Sequence, residues 1–217
     1  MAGGKSGGRG LGNRSVRHDP AYLRAKKEKY AGRAVYKLEE IDQKFRLFKH
    51  KSRVLDLGCW PGSWLQYVSR KVDPEKGMLV GVDLKEVEIA LPQHVQTFVG
   101  DVYKIKPQGF VDRFGQFTVV ISDMAPNTTG EVEGDVYRSE ELFLRALEIA
   151  QGTLRPGGHF AAKVFQGERF GELLKAVKQN FQEGRGFHTK NTRRGSRERY
   201  IVGRGYQPKR TPQKDEG

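Results

Sequence analysis

The segment "HFAAKVF", residues 159–165, sets a lysine among alanines, a valine and two phenylalanines. Lys163 is costly to bury in such a run unless it points into a polar cleft or meets an acid. "FTVVISD" (117–123) supplies one, Asp123, at its carboxyl end, followed by Met-Ala-Pro-Asn. If the two runs are adjacent parallel strands, the ammonium and the carboxylate stand side by side. Lys37, from a helical leading segment, and Glu198, from a closing hairpin, could complete a group of two cations and two anions. Glu198 is the one acid among Arg193, Arg194, Arg197 and Arg199, and composition alone leaves open whether it pairs with those arginines or joins the group. Clusters of this kind handle protons and steady developing negative charge.

A second set of acids ends successive apolar runs: Asp56 in "VLDLG", Asp83 in "VGVDL", Asp101 in "FVGD" and Asp123 in "VVISD". Any one of them reads as a cap or turn residue. Four on one sheet edge are much harder to obtain from turn chemistry. The loop after the first run, "GCWPGSW" (58–64), separates Gly58 from Gly62 by three residues. It is neither the dinucleotide fingerprint nor a Walker A loop, and Pro61 removes one of the backbone donors that phosphate cradles need. A ligand with a nucleoside and no phosphate fits better, and S-adenosylmethionine is the common one. It requires close backbone approach at its amino-acid end, a carboxylate for its ribose hydroxyls and a polar group for its adenine edge.

The elements that must position these residues follow from hydrophobic periodicity. Strands are expected at 53–58, 78–84, 95–100, 117–123 and 159–165, each short, apolar and bounded by turn residues. Helices are expected at 63–71, near 86–90, over 135–154 with Asp135 as N-cap, and over 168–181. "RPGG" (155–158) reads as a helix stop and turn. Residues 21–48 repeat apolar positions at helical steps, with Val35, Leu38, Ile41, Phe45 and Phe48 on one face. Two further strands, 187–192 and 200–205, form the hairpin. The alternation implies one doubly wound α/β domain with a mostly parallel seven-stranded sheet.

Charge is segregated along the chain. The net charge is +13, but residues 1–53 hold 15 Lys/Arg against 5 Asp/Glu, residues 185–217 hold 10 against 3, and the middle is slightly acidic. Solubility alone would not place one sign at both ends, so a polyanion, most simply nucleic acid, is the expected partner. No apolar run approaches the roughly 18 residues of a membrane span, and no membrane partner is expected. The start of the chain lacks the apolar core of a signal peptide. The single cysteine, Cys59, excludes an internal disulfide or thiolate metal site, and no metal is expected. It suits a reducing, cytoplasmic setting. No coiled-coil heptads or large apolar face call for an oligomer, so a monomer is expected.

Over residues 21–206 the sequence resembles the FtsJ/RrmJ family of S-adenosylmethionine-dependent ribose 2′-O-methyltransferases. The match rests on "AVYKLEEID", "VLDLGCWPGSWLQYV", "GVDL", "GD", "ISDMAPNTTG", "FAAKVFQG" and "SRERYIV". Within the family it is most similar to the bacterial members acting on a uridine of 23S rRNA in the large ribosomal subunit. The resemblance implies a catalytic tetrad of Lys37, Asp123, Lys163 and Glu198, and cofactor contacts at Gly62, Trp64, Asp83, Asp101 and Asp123. Residues 1–20, Gly- and Arg-rich with almost nothing to bury, read as a disordered basic arm; the methyltransferase domain is expected over 21–206, with 21–50 as a helical RNA-binding and catalytic extension, and residues 207–217 as a disordered tail. One departure stands out: the family loop reads Gly-Ala-Ala-Pro-Gly-Gly/Ser-Trp, whereas Cys59 and Trp60 replace the two alanines here.

Lys163 is then the candidate base for the ribose hydroxyl. Burial and the like charge of Lys37 favour its neutral amine, while Asp123 and Glu198 favour its ammonium; in the latter case both lysines orient the hydroxyl and steady the alkoxide. Two rival readings remain: a 2′-O-methyltransferase of tRNA or an mRNA cap, and a ribosome-assembly protein that binds RNA without catalysis.

Overall fold

In the computed structural model, which describes residues 19–193 and 195–208, the chain begins with α1 (Pro20–Lys27) and α2 (Val35–Phe45), then β1 (Arg53–Leu57) and α3 (Ser63–Ser69). Next come β2 (Met78–Asp83), β3 (Val95–Val99), a 3-10 turn at Val102–Lys104, α4 (Pro107–Phe114) and β4 (Phe117–Ser122). The chain continues through α5 (Val132–Thr153), β5 (Leu154–Phe165), α6 (Phe170–Lys178), β6 (Phe181–Phe187) and β7 (Glu198–Tyr206). The strands form one seven-stranded sheet in the order β3-β2-β1-β4-β5-β7-β6. β1 to β5 are mutually parallel, and β7 runs antiparallel to both β5 and β6.

Side-chain alternation along each strand divides the core in two. Val54, Leu79, Val119, Ile121 and Ala161 face α2 and α3, meeting Leu38, Ile41, Trp64 and Leu65. Leu55, Leu57, Val80, Val120, Ala162 and Val164 face α5 and α6, meeting Phe143, Ala146, Leu173 and Val177. All six residues of β4 are buried, which explains a strand that reads as a continuous apolar run. Strand order reverses between β1 and β4, and the crevice over their carboxyl ends is where such sheets hold ligands.

The expected doubly wound α/β sheet is present, and several of its boundaries move. The segment 21–48 is two helices, broken where Lys29 takes a positive φ of 60°. Asp135 lies inside α5, whose cap is Glu131, accepting from the N–H groups of Glu133 and Gly134. "RPGG" does not turn the chain out of the sheet; it lies within β5, at an irregularity in the pairing with β4. Residues 86–90 form no helix, whereas α4 arises from "PQGFVDRF", with Pro107 in its first turn. Of the expected strand over 187–192 only Phe187 is in a strand, as the last residue of β6; residues 188–192 are loop and turn, and the penultimate strand is β6, immediately after α6. Its signal was hidden because Gly184 occupies a buried position: a Cβ there would come within 2.7 Å of Lys178 at the end of α6. The close approach of helix and strand removes the branched residues by which a strand is recognised. Except for residues 19–20 and 207–208, the expected basic arm and tail lie outside the described residues, as does Arg194.

Candidate active site

Lys163 and Asp123 emerge from β5 and β4, whose register pairs Ala162 with Ser122. The next residues on both strands therefore stand side by side. Lys163 Nζ donates to the Asp123 carbonyl oxygen at 2.6 Å and lies 3.1 Å from its Oδ1. A second pair is built from elements far apart in sequence. Lys37, in the first turn of α2, reaches Glu198 at the start of β7, with Nζ 2.6 Å from Oε1 and 2.8 Å from Oε2. All three of Lys37, Lys163 and Glu198 are buried. Glu198 thus serves the lysine: Arg199 donates to the Glu198 carbonyl oxygen, not its carboxylate.

Tyr200 joins the two pairs. It sits opposite Lys163 in the β5–β7 register and is fully buried. Its hydroxyl donates to Asp123 Oδ1 at 2.7 Å and lies 3.4 Å from Glu198 Oε1. Burial works to raise the Asp123 pKa, but Lys163, Lys37 and the Tyr200 hydroxyl outweigh it and hold the carboxyl below its ordinary value. Burial, followed by the charges of Asp123 and Glu198, drives the Tyr200 phenol far above its usual range, so it remains a donor.

Beside this group lies a cleft of about 420 Å³ lined by Gly58, Trp60, Asp83, Asp101, Asp123 and Met124, among others. Asp83 accepts from the N–H of Trp60 and of Lys85 at 2.9 Å each. Asp101 accepts from Tyr103 N–H through one oxygen; its other oxygen makes no hydrogen bond among the described residues. A smaller cleft of about 200 Å³, between Gly32–Ala34 and the β1–α3 loop, also reaches Asp123 and is lined by Trp60 and Trp64. Asp56, behind the loop, is fully buried, and among the described residues neither of its carboxylate oxygens has a hydrogen-bond partner. Burial, then Asp123 and Asp83, raise its pKa well above the ordinary value.

The profile of the FtsJ-like methyltransferase family matches residues 30–206. The chain belongs to that family. A relative from Syntrophobacter fumaroxidans, named ribosomal RNA large subunit methyltransferase E, is 46% identical over 186 residues, covering 85% of this chain and 94% of its own. A protein of the same name from Nitratidesulfovibrio vulgaris is 40% identical over 199 residues, covering 91% and 97%. Among solved structures, a ribosomal RNA methyltransferase from Plasmodium falciparum superposes with a TM-score of 0.72 at 27% identity, covering 82% of this chain and 98% of that one.

In this FtsJ-like methyltransferase the six expected site residues other than Gly62 and Trp64 divide cleanly: Lys37, Asp123, Lys163 and Glu198 into one group, and Asp83 and Asp101 along the cleft that Asp123 also lines. Gly62, at φ 107°, turns the chain into α3 beneath Val87 and Ile89. Trp64 is a core indole; it donates to the Ala34 carbonyl at 2.9 Å and edges the smaller cleft. Trp60 is 49% exposed at the rim. Cys59 packs over Gly81, where a Cβ would come within 2.8 Å of its sulfur, and burial pushes its thiol far up, consistent with a packing residue. The methyltransferase sequence gave no sign of Tyr200, which reads as an ordinary strand aromatic. Nor did it reveal that Asp135 pins the loop after Asp123, accepting from Thr129 N–H at 2.9 Å and Gly130 N–H at 3.3 Å.

Proposed function

We propose that this chain transfers the methyl group of S-adenosylmethionine to the ribose 2′-oxygen of a uridine in 23S rRNA of the large ribosomal subunit. The observation that carries the reading is the buried Lys163–Asp123–Tyr200–Glu198–Lys37 network at the edge of an acid-lined cleft. The relatives' names support ribosomal RNA as the substrate class. The cleft fits the donor by volume and by donor set: Asp83 suits the ribose hydroxyls and Asp101 the adenine amino edge. Trp64, which edges the smaller cleft, suits its amino-acid end, while Gly62 lines neither cleft and acts by turning the loop into α3.

When bound, S-adenosylmethionine supplies a methyl group made electrophilic by its sulfonium. The residues of the chain must bring a ribose hydroxyl into line with it and manage the hydroxyl proton. Positioning accounts for much of such a barrier, up to about 7–11 kcal/mol in well-oriented systems. Lys163 Nζ directs two of its contacts to Asp123, and its remaining valence serves the substrate oxygen. As a neutral amine it accepts the 2′-hydroxyl proton; as an ammonium it donates to the developing alkoxide while the hydroxyl proton passes to solvent water. Asp123 fixes where that nitrogen stands, and Lys37, held by Glu198, adds positive charge on the same side.

The test is tritium transfer from labelled S-adenosylmethionine to undermethylated large ribosomal subunits, with the label then mapped. Label in 23S rRNA at a base-stable, 2′-O-linked uridine is expected. Transfer to tRNA or a capped RNA offered in parallel, with none to the subunits, would redirect the assignment. Donor binding without transfer to any RNA would leave a reader of RNA and overturn catalysis.

A further inference from the structure

The ion pair between Lys37 and Glu198 joins a helix to a strand 161 residues away, and something must hold the two elements in register. Glu40 stands on the same face of α2 as Lys37, one turn on. Its carboxylate reaches the turn that leads into β7: Oε2 accepts from Lys190 N–H at 2.8 Å, and Oε1 accepts from Asn191 N–H at 3.0 Å and from the Asn191 side-chain amide. The following residue, Thr192, donates through its hydroxyl to Glu198 Oε1 at 3.2 Å and shares a hydroxyl contact of 2.8 Å with the buried Thr189. The contacts close a ring: Lys37 to Glu198, Glu198 to Thr192, Asn191 to Glu40, and one helical turn back to Lys37.

Three donors on one carboxylate are more than a solvated surface glutamate collects. Charge-assisted bonds of this kind are stronger than neutral ones, and leaving backbone N–H groups unmet is costly. The turn held by Glu40 runs on into the exposed Arg193 and Arg197.

We infer that Glu40 is a positioning residue for methyl transfer, clamping the β6–β7 turn to α2 so that Glu198 meets Lys37. The inference rests on the methyl-transfer reading of the tetrad, and the experiment separates the two. In single turnover at saturating RNA, Glu40→Ala is expected to slow transfer at least tenfold while the S-adenosylmethionine dissociation constant stays within twofold. Glu40→Gln, which keeps an acceptor for Asn191 and loses the one for Lys190, should fall between Ala and wild type, and serves if Glu40→Ala does not fold. Adding Glu40→Ala to Glu198→Ala should slow transfer no further, because both act on the same contact. Independently of catalysis, trypsin should nick Glu40→Ala after Lys190, Arg193 or Arg197 several-fold faster than wild type. A wild-type rate in Glu40→Ala, or losses that multiply in the double variant, overturns the inference. Should the wild-type protein methylate no RNA, the functional reading fails instead, and faster nicking would still support the clamp.

Discussion

The Tyr200 hydroxyl donates to the Asp123 carboxylate across 2.7 Å, and through that bond the two lysine–acid pairs become one network. Tyr200→Phe keeps the buried ring and removes the bond. The loss of a hydrogen bond to a charged group is expected to cost about 1.5–3 kcal/mol of stability. Asp123 is held below its ordinary pKa partly by this hydroxyl, so its stabilising contribution is present above the unfolded value and lost as pH falls through the folded one. Removing the hydroxyl raises the folded value and moves that acid loss to higher pH. Urea denaturation of both proteins between pH 3 and pH 6 measures the shift; superimposable acid limbs would refute the link.

Lys163→Met should remove the methyl-transfer activity, by about 10²–10⁴-fold if Lys163 acts on the hydroxyl proton, and leave S-adenosylmethionine affinity nearly unchanged. Lys37→Met should also lose activity, since Glu198 is then left buried without its cation. Single-turnover rates with calorimetric donor affinities test both, and a Lys163→Met rate near wild type would remove it from the chemistry.

Lys163 and Asp123 were legible because a charge inside an apolar strand and an acid at a strand end both contradict local rules, and such contradictions mark functional sites. Apart from the family resemblance, Lys37 and Glu198 were visible only as residues that could complete the group, since helix and strand are joined by tertiary contact. Tyr200 and Glu40 violate nothing: a tyrosine suits a strand and a glutamate suits an exposed helix face. Their roles arise from the β5–β7 register and from backbone N–H groups on a turn, which no residue type announces. The same holds for β6, where close packing of α6 demanded glycine in place of strand-forming residues.

Exposed Arg193 and Arg197 follow the turn that Glu40 holds and flank the start of β7. Replacing both with alanine should weaken rRNA binding and make its dependence on log salt shallower by about one to two units, as expected for one or two lost phosphate contacts. Donor affinity should not move. Filter binding at 50–200 mM salt measures this, and an unchanged slope would place the RNA elsewhere.

Asp56 behaves in the opposite sense to Asp123. Its folded pKa lies above the unfolded value, so the folded chain keeps a proton that the unfolded chain releases. Stability from this group therefore falls as pH rises from about 4 toward the folded value. Asp56→Asn, neutral at every pH, should be at most slightly less stable than wild type at pH 5 and should narrow the stability difference between pH 5 and pH 8. Chemical denaturation at the two pH values decides it; an unchanged difference would mean that Asp56 ionises without cost.

Trp60 replaces an alanine of the family loop, and its position defines what the larger side chain can touch. Its backbone N–H donates to Asp83 at 2.9 Å, its ring centroid lies 4.4 Å from the Lys85 ammonium, and it lines both clefts that meet at Asp123. An indole so placed walls the cleft proposed for the donor, beside the acid proposed for its ribose, and the lysine steadies the ring by about 0.5–1 kcal/mol. Trp60→Ala, restoring the family residue, should weaken S-adenosylmethionine binding about three- to tenfold, with little change in the rate at saturating donor, because the ring binds donor and transition state alike. Donor binding should also change the tryptophan emission of the wild-type protein more than that of the variant, whose remaining indole, Trp64, is buried and donates to the Ala34 carbonyl. If Trp60→Ala instead raises the KM for RNA and leaves donor affinity untouched, the ring stacks on the RNA and not on the donor side of the cleft.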